Sequence, residues 1–213
     1  LIHSTIRLAG TRAPMGNPPA GAALALPPPW RKAPVAAERR SPERLEALRR
    51  YWRENLAGVP ACLNLPFDRP RTAVLSDHGG RFVRRLTNAL ATAIAGIAGN
   101  NNVTPFVVLE TGLAILCGIL SDSRDVVIGA ASEGRHHADL FDAIGLYVNT
   151  VPLRHAIDPS AALGELLAAG RDQVVAAVEN DELQFDEIVA ALDPQRRSSF
   201  DPLFQVFCQL RIG

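Results

Sequence analysis

Three stretches of the chain hold residue types that could do chemistry. The first is Gly134-Arg135-His136-His137. Imidazoles move protons near neutral pH and bind metals. Adjacent histidines, however, point in different directions on any regular element, and no Cys/His partner pattern surrounds this pair, so the segment reads as a solvated polar loop. The second is Ile144-Gly145-Leu146-Tyr147-Val148-Asn149-Thr150, where a glycine, an aromatic ring and an Asn-Thr pair interrupt an apolar strand. A buried Asn149 must find hydrogen-bond partners or cost about 1–3 kcal/mol. It is either a site residue or a structural amide at a strand end, and residue types alone leave both open. The third is the set Cys62, Cys117 and Cys208. Their odd number and wide spacing argue against a disulfide framework, and Cys117 and Cys208 sit in apolar runs as small core residues. No Ser-His-Asp set, phosphate loop or dinucleotide fingerprint occurs.

The elements that must position these residues follow from periodicity and punctuation. Residues 1–40 carry seven prolines, many Ala and Gly and no sustained hydrophobic period. They read as a linker or disordered arm that contributes nothing to the core. Order is expected from Ser41, a cap followed by Pro42 and Glu43, with Leu45, Leu48, Trp52 and Leu56 at helical spacing up to Gly58. Phe82 to Leu86 reads as a strand. Thr87 starts a helix carrying Leu90, Ile94 and Ile97. Thr104-Pro105 starts another that runs to about Leu120; it is apolar on nearly every side and so expected to be buried. Asp125 to Gly129 and Ile144 to Leu153 are expected strands. Ser160 opens an amphipathic helix, Phe185 to Leu192 lie on a shorter one, and Leu203 to Leu210 form a last strand. Strands alternating with long helices give an α/β class.

Composition removes whole classes of function. The 213 residues suffice for one domain or for one large lobe of a bigger fold, and 47% hydrophobic residues make the chain globular. Lys+Arg and Asp+Glu both total 22, so no basic surplus exists for nucleic acid or anionic membrane. No run is long and apolar enough to span a membrane and no signal peptide is evident, so a cytoplasmic protein is expected.

From Ser41 to Leu210 the sequence resembles the condensation domains of nonribosomal peptide synthetases. The resemblance rests on phrases standing in the family's order. They begin with Arg49-Arg50-Tyr51-Trp52-Arg53-Glu54-Asn55-Leu56-Ala57-Gly58 and Leu65-Pro66-Phe67-Asp68-Arg69-Pro70-Arg71. Val103-Thr104-Pro105-Phe106, Asp125-Val126-Val127-Ile128-Gly129 and Gly134-Arg135 follow. Ile144 to Thr150 with Arg154, Gln184-Phe185-Asp186, Arg197 and Asp201-Pro202-Leu203-Phe204-Gln205-Val206 complete the set. Single phrases carry little weight; the whole series at family spacing is specific.

The resemblance implies the C-terminal lobe of a two-lobed fold similar to chloramphenicol acetyltransferase, a mixed sheet flanked by helices over residues 41–213. It implies a tunnel between lobes, entered by phosphopantetheine arms of peptidyl carrier proteins, one bringing an acyl or peptidyl donor and the other an aminoacyl acceptor. Phosphopantetheine arrives on those partners, so no cofactor or metal of this chain's own is implied. By resemblance Gly145, Tyr147, Asn149 and Thr150 line or support the acceptor side of the tunnel, while Arg135, Phe185, Asp186 and Arg197 are structural. The family's catalytic His-His-x-x-x-Asp-Gly motif belongs to the first lobe. His136-His137 does not supply it: Asp142 is one place too late and Ala143 replaces the glycine. The chain alone is therefore expected to be inactive. Its expected partners are carrier proteins, an N-terminal lobe absent from this chain and neighbouring synthetase domains. Truncation, a frameshift or a short protein in its own right would each explain the abrupt start near Ser41. The alternatives to an enzyme half are a non-catalytic docking module and a defunct fragment. Asn180, Gln184 and Asp186 stand where the family commonly has His, Pro and Glu, and these exchanges bear on how tightly that bridge segment is held.

Overall fold

Three hydroxyl caps start the helices that frame the molecule. The Ser41 side chain accepts from the Arg44 N–H, Thr87 from Leu90 and Thr104 from Val107, each satisfying a donor that the first helical turn leaves unpaired. The helices so begun are α1 (Pro42–Asn55), α2 (Asn88–Asn100) and α3 (Pro105–Ser121). Two more follow, α4 (Leu163–Glu179) and α5 (Phe185–Leu192). The computed structural model describes residues 2–8, 41–68, 79–135, 147–192 and 200–212.

Four strands, β1 (Ile2–Leu8), β2 (Asp125–Ser132), β3 (Asn149–Ala156) and β4 (Val206–Ile212), form one mixed sheet in the order β1-β4-β2-β3. β4 runs parallel to both β1 and β2, and β3 is antiparallel to β2. The β2–β3 register places Ser132 opposite Asn149 and Val126 opposite His155. Helices cover both faces, as the nearly continuous burial of Val126 to Ala130 demands. On one side Ala114 and Cys117 of α3 pack with Val126, Ile128, Val206 and Cys208. The other main cluster joins Leu48 and Trp52 of α1 to Val127, Ile188, Phe204 and Phe207.

The α/β class, the mixed sheet and the five expected helices are all present, but four expectations need correction. The helix expected from Ser160 begins at Leu163, where Glu165 Oε2 accepts from the Ala162 N–H. Residues 82–86 form no strand; they are exposed, Phe82 by 83%. A strand needs a ladder partner, and among the described residues none lies beside it. α3 is not buried all round, for Leu116, Ile119 and Leu120 are exposed. Within the stretch read as an arm, residues 2–8 form β1 along β4. Ile2, Thr5 and Ile6 favour strand, a local signal that the proline count downstream obscured. Residues 9–40 lie outside the described residues.

Candidate functional site

The chemically unusual residues meet where β2 ends and β3 begins. Gly134 sits just past β2 with φ +62, and a Cβ there would overlap the carbonyl of Tyr147. Only glycine supplies both the left-handed backbone and the close approach. Arg135 then lies over the Tyr147 ring, with Cζ 4.6 Å from its centroid, a cation–π contact. Tyr147 and Thr150 are half-buried, whereas Val148 between them is 55% exposed.

Asn149 anchors this wall. It is 5% exposed and uses its amide in full. Nδ2 donates to the carbonyls of Asp181 and Leu183 at 2.7 and 2.8 Å; Oδ1 accepts from the backbone of Thr150 at 2.8 Å and of Phe185 at 3.2 Å. An amide offers two donors and two acceptor lone pairs, so nothing remains for a substrate. Opposite it in the ladder, Ser132 hydrogen-bonds Asp181, which is 2% exposed. Both strand ends are thereby tied to the turn joining α4 to α5.

The same turn is held from the other side. Trp52 Nε1 donates to the Asn180 carbonyl at 3.0 Å, and Arg44 reaches the Glu179 carbonyl and Glu182. Asn180 itself donates to Ala176, and Gln184 N–H to Glu187 Oε2. The exchanges of His, Pro and Glu noted above leave the segment firmly bonded. Phe185 packs on Phe204 at 5.2 Å between centroids, while Asp186 is exposed in the first turn of α5. Gly145, Arg197 and the His136-His137 pair lie outside the described residues.

Arg154, quoted above only within a family phrase, belongs to a half-buried ion pair. Arg154 makes a two-pronged contact with Asp125 at 3.0 and 2.8 Å, and its remaining nitrogen donates to the carbonyls of Asn55 and Ala57. The Asp125 hydrogen bonds raise its already high pKa. It clasps the end of α1 to the sheet. A fully buried pair, His155 Nε2 and Glu110 Oε1 at 2.6 Å, joins β3 to α3. No sequence spacing marks it, because the partners lie 45 residues apart. Among the described residues no three His, Cys, Asp or Glu side chains gather to hold a metal ion.

An α/β lobe with a mixed sheet and a clamped strand end is thus the class that the fold and site define. Comparison with known proteins gives it a family. Residues 33–211 match the model of the condensation domain, so the match begins at residue 33 rather than at Ser41. The chain is 39% identical over 164 residues to phosphinothricin tripeptide synthetase PhsC of Streptomyces viridochromogenes, covering 77% of this chain and 15% of that protein. It is 34% identical to tyrocidine synthase 2 of Brevibacillus parabrevis, covering 73% of this chain and 4% of that one. Among solved structures, a four-domain nonribosomal peptide synthetase bound to AMP and glycine superposes with a TM-score of 0.77 at 24% identity, over 82% of this chain and 13% of that one. The X-domain from teicoplanin biosynthesis gives 0.72 at 24%, over 84% and 40%. These likenesses establish the chloramphenicol-acetyltransferase-like fold. The chain belongs to the condensation-domain family of the nonribosomal peptide synthetases, and spans a small part of the curated relatives it matches.

Proposed function

We propose that this chain forms the acceptor-side wall of a condensation domain that makes amide bonds between carrier-bound substrates. The observation that carries the reading is the clamp at Asn149: a fully bonded buried amide that fixes the backbone on which Tyr147 and Thr150 stand. In the proposed reaction the acceptor amine attacks the donor thioester carbonyl. A C–N bond forms, the C–S bond breaks, the pantetheine thiol leaves, and the amine loses a proton. Holding two reactants in line can remove about 7–11 kcal/mol of barrier, which is the contribution a rigid wall makes. The proton-handling histidine is supplied by the remainder of the domain, so this chain alone is inactive. Peptidyl carrier proteins bring both phosphopantetheine arms, and neighbouring synthetase domains set the order of delivery.

Asn149 orients the wall without touching substrate in this reading; Tyr147 and Thr150 face the acceptor. The test is steady-state kinetics on the domain completed with its other lobe. Tyr147→Ala or Thr150→Val should raise the acceptor KM about tenfold, with the donor KM unchanged. Equal losses for both substrates, or none, would sink the assignment. The second reading, a docking platform, draws on the likeness to the X-domain, a protein also solved in complex with OxyB. Binding of a partner enzyme without any condensation by the completed domain would favour it.

A further inference from the structure

β1 stands apart from the rest of the sheet. The family match covers residues 33–211, which takes in β2, β3 and all of β4 but its last residue, and leaves out Ile2–Leu8. Residues 9–41 lie between β1 and α1 in the chain. In the sheet β1 borders β4, and the two pair in parallel from Ile2 opposite Val206 to Leu8 opposite Ile212.

β4 needs such a neighbour. Its register with β2 covers Phe207 and Cys208, so among the described residues Gln209 to Ile212 find their ladder in β1 alone. From Gln205 to Leu210 the chain holds no charge, proline or glycine, and Val206, Phe207 and Cys208 are buried. An open edge of that composition is a template for strands of other chains. The pairing with β1 is also specific in register. Ile2 stands opposite Val206, Ile6 opposite Leu210 and Leu8 opposite Ile212. A slip of one residue would bring His3, Thr5 and Arg7 to those positions.

We propose that the outer edge of β4 is a docking site for a parallel strand. Residues 2–8 are a removable strap that fills it within the same chain and keeps strands of other chains out. Closing a long connection costs entropy that grows only slowly with its length, so the distance along the chain does not prevent the strap from seating. Its release leaves β2 and β3 paired with each other from Asp125 opposite Ala156 to Ser132 opposite Asn149.

The test uses the full chain and a fluorescent peptide, Ile-His-Ser-Thr-Ile-Arg-Leu, followed by anisotropy. Ser4→Pro combined with Thr5→Pro removes a ladder N–H whichever of the two neighbours donates to β4. This double variant should bind the peptide saturably, and about tenfold or more tightly than the unsubstituted chain, in which a seated strap lowers the competent fraction. A peptide carrying the same two prolines should not bind. Hydrogen exchange should show Gln209 to Ile212 losing protection in the variant and regaining it with peptide, while β2 and β3 stay protected. Separately, Thr5→Cys with Gln209→Cys, a pair opposite one another in the register, should close a disulfide within one chain on mild oxidation and shut the peptide out. Four results would overturn the proposal: equal binding by the unsubstituted chain, no binding by a variant whose β2 and β3 remain protected, protection lost throughout the sheet, or a disulfide formed only between chains. None of these readouts involves amide formation, so the strap stands or falls apart from the condensation reading.

Discussion

Asn149 shows how one side chain decides what its neighbours can do. Its amide holds the Asp181 and Leu183 carbonyls and the Phe185 N–H. Asn149→Ala strands those groups in the interior, and at about 1–3 kcal/mol for each unsatisfied group the expected loss is about 3 kcal/mol or more. Urea denaturation should show it as a lower midpoint. Activity lost on this substitution would therefore report folding, which is why Tyr147 and Thr150 are the better probes of the proposed tunnel. The sequence left a site residue and a structural amide open at this position, since an Asn at a strand end looks the same in both. The partners that its amide finds sit more than thirty residues away, between two helices.

Cysteine chemistry yields a second prediction at this scale. Burial and the neighbouring Glu110 carboxylate push the Cys208 thiol up to about 12, and burial alone raises Cys117. Each folded thiol is thus harder to ionise than its unfolded counterpart near 9. Below that value both states are protonated and pH has no effect through them. Above it the unfolded chain loses protons that the folded chain retains, so stability falls as pH rises from about 9 toward 12. Denaturant midpoints at pH 8 and pH 10.5 should differ in that direction, and a flat profile would contradict the burial of Cys208. Iodoacetamide at pH 8 should spare Cys117 and Cys208 in the native state.

At the scale of elements, what was legible was what is local. Caps at Ser41, Thr87 and Thr104 and the apolar spacing after them located α1, α2 and α3, because a helix closes its own hydrogen bonds. Strands need partners, so residues 82–86 were misread and β1 was missed among prolines. The Thr104 cap gives a direct check: Thr104→Ala should cost about 1 kcal/mol. Gly134→Ala should cost more. A left-handed residue with a Cβ loses about 1–2 kcal/mol, and here the added carbon also displaces Tyr147 and with it the Arg135 contact. Near-ultraviolet circular dichroism from Tyr147 would register that shift even where helix content is unchanged.

At the scale of the whole molecule, the described residues expose Phe82, Val83, Leu86 and Leu90 along one stretch, and Leu116, Ile119 and Leu120 on α3. Exposed apolar surface of this kind is unusual on a monomer. The chain also spans only 40% of the X-domain structure that it resembles. A protein of this form should bind a hydrophobic dye and self-associate when alone, and a clean two-state melt of a monodisperse sample would contradict that expectation.

The most direct measurement of the account is amide formation from a carrier-bound donor and a carrier-bound acceptor. The assay compares this chain alone, the complementary lobe of a relative alone, and the two together. Dipeptide is expected in the mixture only. Dipeptide from this chain alone, or none from a mixture shown to form a stable one-to-one complex, would contradict it.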